Sequence, residues 1–297
     1  MIEFKGIIVP MLTPFRPNGE IDQQMLEKLG AFLIERGVHG LFPSSSIGEA
    51  SSMSPAERRV VIEKVFETAG DRVPVIPGTG SSDLTTTLEL TRFAEDLGCD
   101  GAIVVTTYYL KPDQDGLIDY YSKVAESVNI PIFLYQIPMA TGVAISPETV
   151  SRLAEEHDNI IGMKDSSGDL AGLMRIKSMV KDDFLIFQGS DTLLLPSLLI
   201  GCSGGMVGTS NIVPRLALDL FSAFGTGDIA KAKEIQMKKL GPFFQACMGN
   251  GVFPAGFKEA SRLISLDMGP ARTPVRRLSR KEKEKLKKDL RSLDFMS

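Results

Sequence analysis

The chain has 297 residues, 43% of them hydrophobic, which is enough for one large α/β domain or two of ordinary size. A formal net charge of -4 provides no broad basic field for nucleic acid or an anionic membrane surface, so small-molecule chemistry is the default reading. Three widely spaced cysteines argue against a disulfide framework and for a reducing, cytoplasmic setting, and neither an apolar export signal nor a run of about 18 apolar residues is present.

Short apolar runs recur with helical patterns between them. In chain order they begin with Gly6-Ile-Ile-Val-Pro10, Gly40-Leu-Phe-Pro43, Val73-Pro-Val-Ile76 and Gly101-Ala-Ile-Val-Val105. Pro131-Ile-Phe-Leu-Tyr135, Ile160-Ile-Gly-Met-Lys164, Phe184-Leu-Ile-Phe187 and Gly204-Gly-Met-Val207 complete a set of eight. Capped amphipathic stretches follow: Ser54-Pro55 opens 57–69, Asp83 opens 84–97, and Ser146-Pro147 opens 148–156. Strands apolar on both faces belong to a parallel sheet covered by helices. Eight βα units within residues 1–225 therefore predict an α/β chain folded as a (β/α)₈ TIM barrel, an open doubly wound sheet being the alternative. Strand signals then stop, and helical patterns at 228–240, 253–264 and 279–293 predict a C-terminal three-helix extension over 226–297. The Lys/Glu alternation of 280–288 reads as a solvated helix face.

In such a barrel the chemistry sits where strands end. Lys164 ends the sixth run, where an ammonium loses solvation; a neutral lysine attacks ketones, and the resulting iminium is an electron sink for aldol chemistry without a metal. A lysine snorkelling from the strand end is the bland alternative. Tyr135 and Tyr109 end the fifth and fourth runs, and a phenol linked to a hydroxyl such as Ser46 can move protons at a carbinol; rim packing is the competing account. The loop Pro43-Ser-Ser-Ser-Ile-Gly-Glu49 can cradle a carboxylate on its amides or cap the next helix. Gly189-Ser-Asp191 and Gly208-Thr-Ser-Asn211 occupy the usual phosphate corner, but Asp191 would repel phosphate. It suits sugar hydroxyls, or an N-cap. The two histidines, His39 and His157, lie near no cluster with ligand spacing, and no nucleotide loop occurs, so neither a metal nor a cofactor is expected.

Taken together, the opening Gly6-Ile-Ile-Val-Pro-Met-Leu-Thr-Pro14, Ser46-Ile-Gly-Glu49, Thr107-Tyr-Tyr109, Leu134-Tyr-Gln-Ile-Pro138, Ile161-Gly-Met-Lys-Asp-Ser-Ser-Gly168 and Gly189-Ser-Asp191 resemble the dihydrodipicolinate synthase / N-acetylneuraminate lyase family of pyruvate-dependent aldolases. The resemblance spans nearly the whole chain. It implies a barrel with a C-terminal helical extension, usually a homotetramer, that holds pyruvate as a Schiff base on Lys164. Tyr135 matches the proton-relaying phenol, Ser46 its hydroxyl partner, and Tyr109 the tyrosine lent to a neighbouring subunit. Ile47, Ser166, Gly189, Asp191, Met206 and Thr209 match positions around the substrate.

Two departures bear on the substrate. Ile47 replaces a hydroxyl residue, leaving the pyruvate carboxylate to backbone amides, and Ala140 stands where synthases usually carry an arginine for the aldehyde's carboxylate. A missing charge-assisted bond worth roughly 1.5 to 3 kcal/mol disfavours aspartate semialdehyde. The reading therefore leans to reversible cleavage of a 2-keto-3-deoxy sugar acid to pyruvate and an aldehyde. The alternatives are dihydrodipicolinate synthase activity, a non-catalytic keto-acid-binding barrel, and a phosphate-handling isomerase.

Overall fold

The computed structural model describes residues 4–249 and 251–296; residues 1–3, read above for an export signal, lie outside the described residues. Seven parallel strands form one curled sheet: β1 (Gly6–Pro10), β2 (Gly40–Phe42), β3 (Ala102–Val105), β4 (Ile132–Gln136), β5 (Ile160–Asp165), β6 (Leu185–Gln188) and β7 (Gly204–Gly205). Their order is β2-β1-β7-β6-β5-β4-β3. The third predicted run, 73–76, makes no ladder of its own, because Pro74 and Pro77 have no N–H to donate. Single bridges remain, Leu41 to Val75 and Gly78 to Ile103. The amides of Ile76 and Ile103 donate to Leu41 O (2.9 Å) and Pro77 O (2.8 Å), so the ring still closes between β2 and β3. The barrel is seven strands and one stitched segment.

Alternation along the strands sorts side chains into two layers. Ile8, Phe42, Ile76, Ile103, Phe133, Tyr135, Phe187 and Met206 fill the interior, while Val104, Leu134, Met163 and Ile186 face the surrounding helices. Those helices begin where their caps predict. Ser54 and Glu57 form a reciprocal capping box on the helix Pro55–Ala69, Asp83 accepts from Thr86 N ahead of Leu84–Leu97, and Ser146 from Thr149 N ahead of Pro147–Glu156.

Beyond residue 225, where three helices are expected, four α-helices form among the described residues: Ile229–Ile235, Gly241–Met248, Ala255–Ile264 and Arg280–Ser292. The Gly241-Pro242 pair, a stop signal on paper, is absorbed by a π-helical turn at Gln236–Leu240 that carries the chain onward. The core does not divide at 225. Leu29, Val61 and Leu220 share one buried cluster with Phe243, Phe257, Leu286 and Leu290 of the C-terminal helices. Among the described residues no helix is long and apolar enough to cross a membrane, no His, Cys, Asp and Glu group is arranged to hold a metal, and all three cysteines are buried thiols.

Candidate active site

Register across the sheet brings the chemistry together. Tyr135 of β4 pairs with Lys164 of β5, which pairs in turn with Phe187 of β6, so both polar side chains enter the barrel at its carboxyl end. Lys164 is only 4% exposed. Its Nζ lies 4.3 Å from the Tyr135 ring centroid and 5.0 Å from that of Phe42, an apolar and π-rich setting for an amine. The Tyr135 hydroxyl is 3.2 Å from Ser46 Oγ. The expected amine, phenol and hydroxyl therefore converge from β5, β4 and the loop after β2.

The serine loop owes its shape to local bonds. Ser45 Oγ donates to Met11 O (3.0 Å) and accepts from Gly48 N (3.1 Å), tying the turn to β1, and Ser44 adopts a positive φ of 55°. These contacts leave the amides of Ser46 and Ile47 without a protein acceptor among the described residues, in keeping with a carboxylate cradle. The Ile47 side chain turns the other way, into the core, toward Gly208 and the helix Ala255–Ile264.

Across the barrel, Gly189 must be glycine. A Cβ built there would lie 2.0 Å from Ser166 Oγ and 2.9 Å from Lys164 Cε, so this backbone forms the wall against which both side chains rest. Met206 is fully buried in the barrel interior. Asp191 is the residue expected above to meet sugar hydroxyls or to act as an N-cap. It is 1% exposed, and its carboxylate accepts from Gly208 N (3.2 Å), Thr209 N (3.0 Å) and the Thr209 hydroxyl. Burial raises its pKa against the opposing pull of these bonds. Asp191 and Thr209 are both buried and bonded to each other, and the pair staples the loops after β6 and β7. Tyr109 lies apart from the cluster, 93% exposed and at a positive φ of 76°.

A cavity of about 160 Å³ opens beside Tyr135, lined by Ser44–Ser46, Tyr108, Ala140, Thr141 and the buried Arg58. Arg58 and Tyr108 escape the sequence reading. The first sits in a helix among acidic and basic neighbours, yet it shares the apolar stripe of Val61, Ile62 and Val65, and an arginine on that stripe is the available signal. Arg58 Nε donates to Ser44 Oγ and Nη2 to Gly78 O, both at 2.8 Å.

Comparisons with known proteins place the chain in a family. The family model described as the dihydrodipicolinate synthetase family matches residues 3–293. This chain belongs to that family. A 4-hydroxy-tetrahydrodipicolinate synthase of Methanopyrus kandleri is 38% identical over 99% of the chain and 98% of its own length. Among solved structures, a Bacillus anthracis dihydrodipicolinate synthase superposes with a TM-score of 0.94 at 32% identity, covering 98% of this chain and 99% of that one. A prophage protein of E. coli K12 from the dihydrodipicolinic acid synthase family, solved in complex with pyruvate, gives 0.93 at 33% identity over the same shares. As a member of the dihydrodipicolinate synthetase family, the chain is a lyase of the Schiff-base-forming aldolase class.

Proposed function

We propose that the enzyme condenses pyruvate, held as a Schiff base on Lys164, with an aldehyde that carries a carboxylate, aspartate semialdehyde being the first candidate. The supporting observation is the convergence of buried Lys164, Tyr135 and Ser46 beside a cavity whose charged lining residue is the cation Arg58, with no acidic residue in its wall. The relatives' name, 4-hydroxy-tetrahydrodipicolinate synthase, points the same way. Further support is that Asp191 and Thr209, the hydroxyl-binding pair of the sugar-acid reading, are buried and already bonded to each other and to backbone.

In this reading Lys164 Nζ attacks the C2 ketone, the carbinolamine loses water to give an iminium, and a methyl proton leaves to form the enamine. The enamine carbon then attacks the aldehyde carbon, whose oxygen takes up a proton, and water releases the product from Nζ. Tyr135 moves protons at the carbinol and alkoxide oxygens with Ser46 as its partner. The amides of Ser46 and Ile47 hold the pyruvate carboxylate, while Ser166, Gly189 and Met206 shape the pyruvyl end. Tyr109, with exposed Leu110 and Met139, forms an apolar rim suited to a neighbouring subunit of a homotetramer.

The test is intact mass after incubation with pyruvate and borohydride, with Lys164→Ala in parallel, followed by turnover with aspartate semialdehyde and with 2-keto-3-deoxygluconate. An adduct on the parent alone, and faster turnover of the semialdehyde, supports the reading. Faster cleavage of the sugar acid restores the other substrate class, and absence of an adduct ends the aldolase mechanism.

A further inference from the structure

Arg58 is a charge buried without a countercharge. Its side chain is almost wholly enclosed, yet no carboxylate lies within ion-pairing distance among the described residues, and both its acceptors, Ser44 Oγ and Gly78 O, are neutral. Buried arginines ordinarily come with a paired anion, since desolvating an uncompensated cation costs several kcal/mol. One edge of the guanidinium is used by these two bonds. Nη1 makes no hydrogen bond to the described residues, and Nη2 keeps a second N–H, so an unused fork remains on a residue that lines the cavity.

The surroundings favour an anion at that fork. The lining contains hydroxyls from Ser44, Ser46, Tyr108, Tyr135 and Thr141 but no aspartate or glutamate. Lys111 adds a second cation beside Gly142, the neighbour of the lining residue Thr141: a Cβ built on Gly142 would meet its Nζ at 2.8 Å, and Lys111 also has no acidic partner among the described residues. Ala140 contributes only a methyl group to the same wall. Burial lowers the Arg58 pKa to about 10, so the group remains cationic at neutral pH.

Resting on the reading of Lys164 as the pyruvate-bearing lysine, we propose that Arg58 is the residue that binds the carboxylate of the second substrate. It would act from the helix after β2 and so take over the task for which an arginine at position 140 is lacking. The bond is a bidentate one from the open guanidinium edge, with Lys111 contributing long-range attraction at the entrance. Specificity then follows from an unpaired buried cation: an aldehyde lacking a carboxylate leaves Arg58 as it is in the empty site, whereas one that carries it completes the ion pair.

The experiment measures kcat and KM for aspartate semialdehyde and for 3-aminopropanal, which lacks the carboxylate, in the parent, Arg58→Gln, Arg58→Lys and Arg58→Gln/Ala140→Arg. Borohydride-trapped pyruvate adduct serves as the check on folding. The expected result is a parent preference of at least 30-fold in kcat/KM for the carboxylated aldehyde. Arg58→Gln should lose that preference through KM, Arg58→Lys should retain part of it, and the double variant should recover at least fivefold over Arg58→Gln. If the parent shows no preference, the assignment of an acidic aldehyde fails and the anchor with it. If the parent prefers the semialdehyde and Arg58→Gln retains that preference, Arg58 is not the anchor, although the substrate reading stands. Should Arg58→Gln trap no pyruvate, the charge-conserving Arg58→Lys decides: a rise in semialdehyde KM of fivefold or more, with pyruvate KM moving less than twofold, supports the anchor, and an unchanged KM overturns it.

Discussion

Lys258 Nζ sits 2.6 Å from Glu49 Oε1, and both side chains are 2% exposed. The pair joins the helix Ala255–Ile264 to the end of the serine loop, and Arg272 N reinforces it by donating to Glu49 Oε2 at 2.8 Å. Lys258 Nζ also donates to Pro270 O and lies 4.3 Å from the Phe15 ring centroid. Removing one partner strands the other charge, so Lys258→Met is expected to lower unfolding free energy by about 3 to 5 kcal/mol. Glu49→Gln/Lys258→Met should cost less than the sum of the single changes. Urea denaturation of the four proteins measures this; additive effects would show that the two groups are not coupled.

The relay makes a kinetic prediction. Tyr135→Phe removes the phenol while keeping the ring that packs against Phe42, so kcat should fall by about 10² to 10⁴, with little change in melting temperature. Ser46→Ala should cost less, on the order of tenfold, because it removes the partner and not the proton carrier. Steady-state turnover separates the two, and a Ser46→Ala loss larger than that of Tyr135→Phe would reverse the assigned roles.

At Gly189 the prediction is steric. Gly189→Ala drives a methyl group into Ser166 Oγ and presses on Lys164 Cε, so the rate of borohydride-trapped adduct formation should drop at least tenfold. Adding Ser166→Gly removes the worse of the two clashes and should restore part of that rate. No restoration would mean that the contact with Lys164 alone governs the site.

Acid stability should depend on Arg272. Its guanidinium donates to Glu57 and holds that carboxyl at about 2, below the usual carboxylate value. A depressed folded pKa gives stability that is present above the unfolded value near 4.5 and is lost as pH falls toward 2. Glu57 is about a third exposed, so screening reduces the contribution to about 1 kcal/mol. Arg272→Met should therefore flatten the stability profile between pH 4.5 and 2, measured by urea titration at each pH. An unchanged slope would exclude the pair as its origin.

The elements most legible in the sequence are those fixed by local rules. Lys164 and Tyr135 close apolar runs, and the caps Ser54, Asp83 and Ser146 stand ahead of periodic stretches, so strand ends and helix starts fall within a residue or two of expectation. The third strand was legible as a run but not as a ladder, since the same β-branched residues are interrupted by Pro74 and Pro77. Asp191 is hard to place from sequence for a different reason. Its polarity suggests a ligand group, but only the packed fold reveals that the amides of Gly208 and Thr209, distant in sequence, already occupy it. Arg58 was hidden because adjacent Arg59 is equally charged, yet lies outward over Phe93 while Arg58 turns in.

Between β2 and β3 a proline-bearing segment stands where an eighth strand would. Elsewhere neighbouring strands share ladders of two to five residue pairs, while here bridges at Val75 and Gly78 carry the closure, backed by the Leu41 N–Pro74 O and Ile76 N–Leu41 O bonds, each 2.9 Å. Ser44 and Gly78, the two groups that hold Arg58, flank the join between β2 and the stitched segment, where Gly78 N donates to Pro43 O at 2.9 Å. Arg58 therefore ties β2 to the stitched segment through its own side chain, so the guanidinium that lines the cavity also fastens the closure of the cylinder.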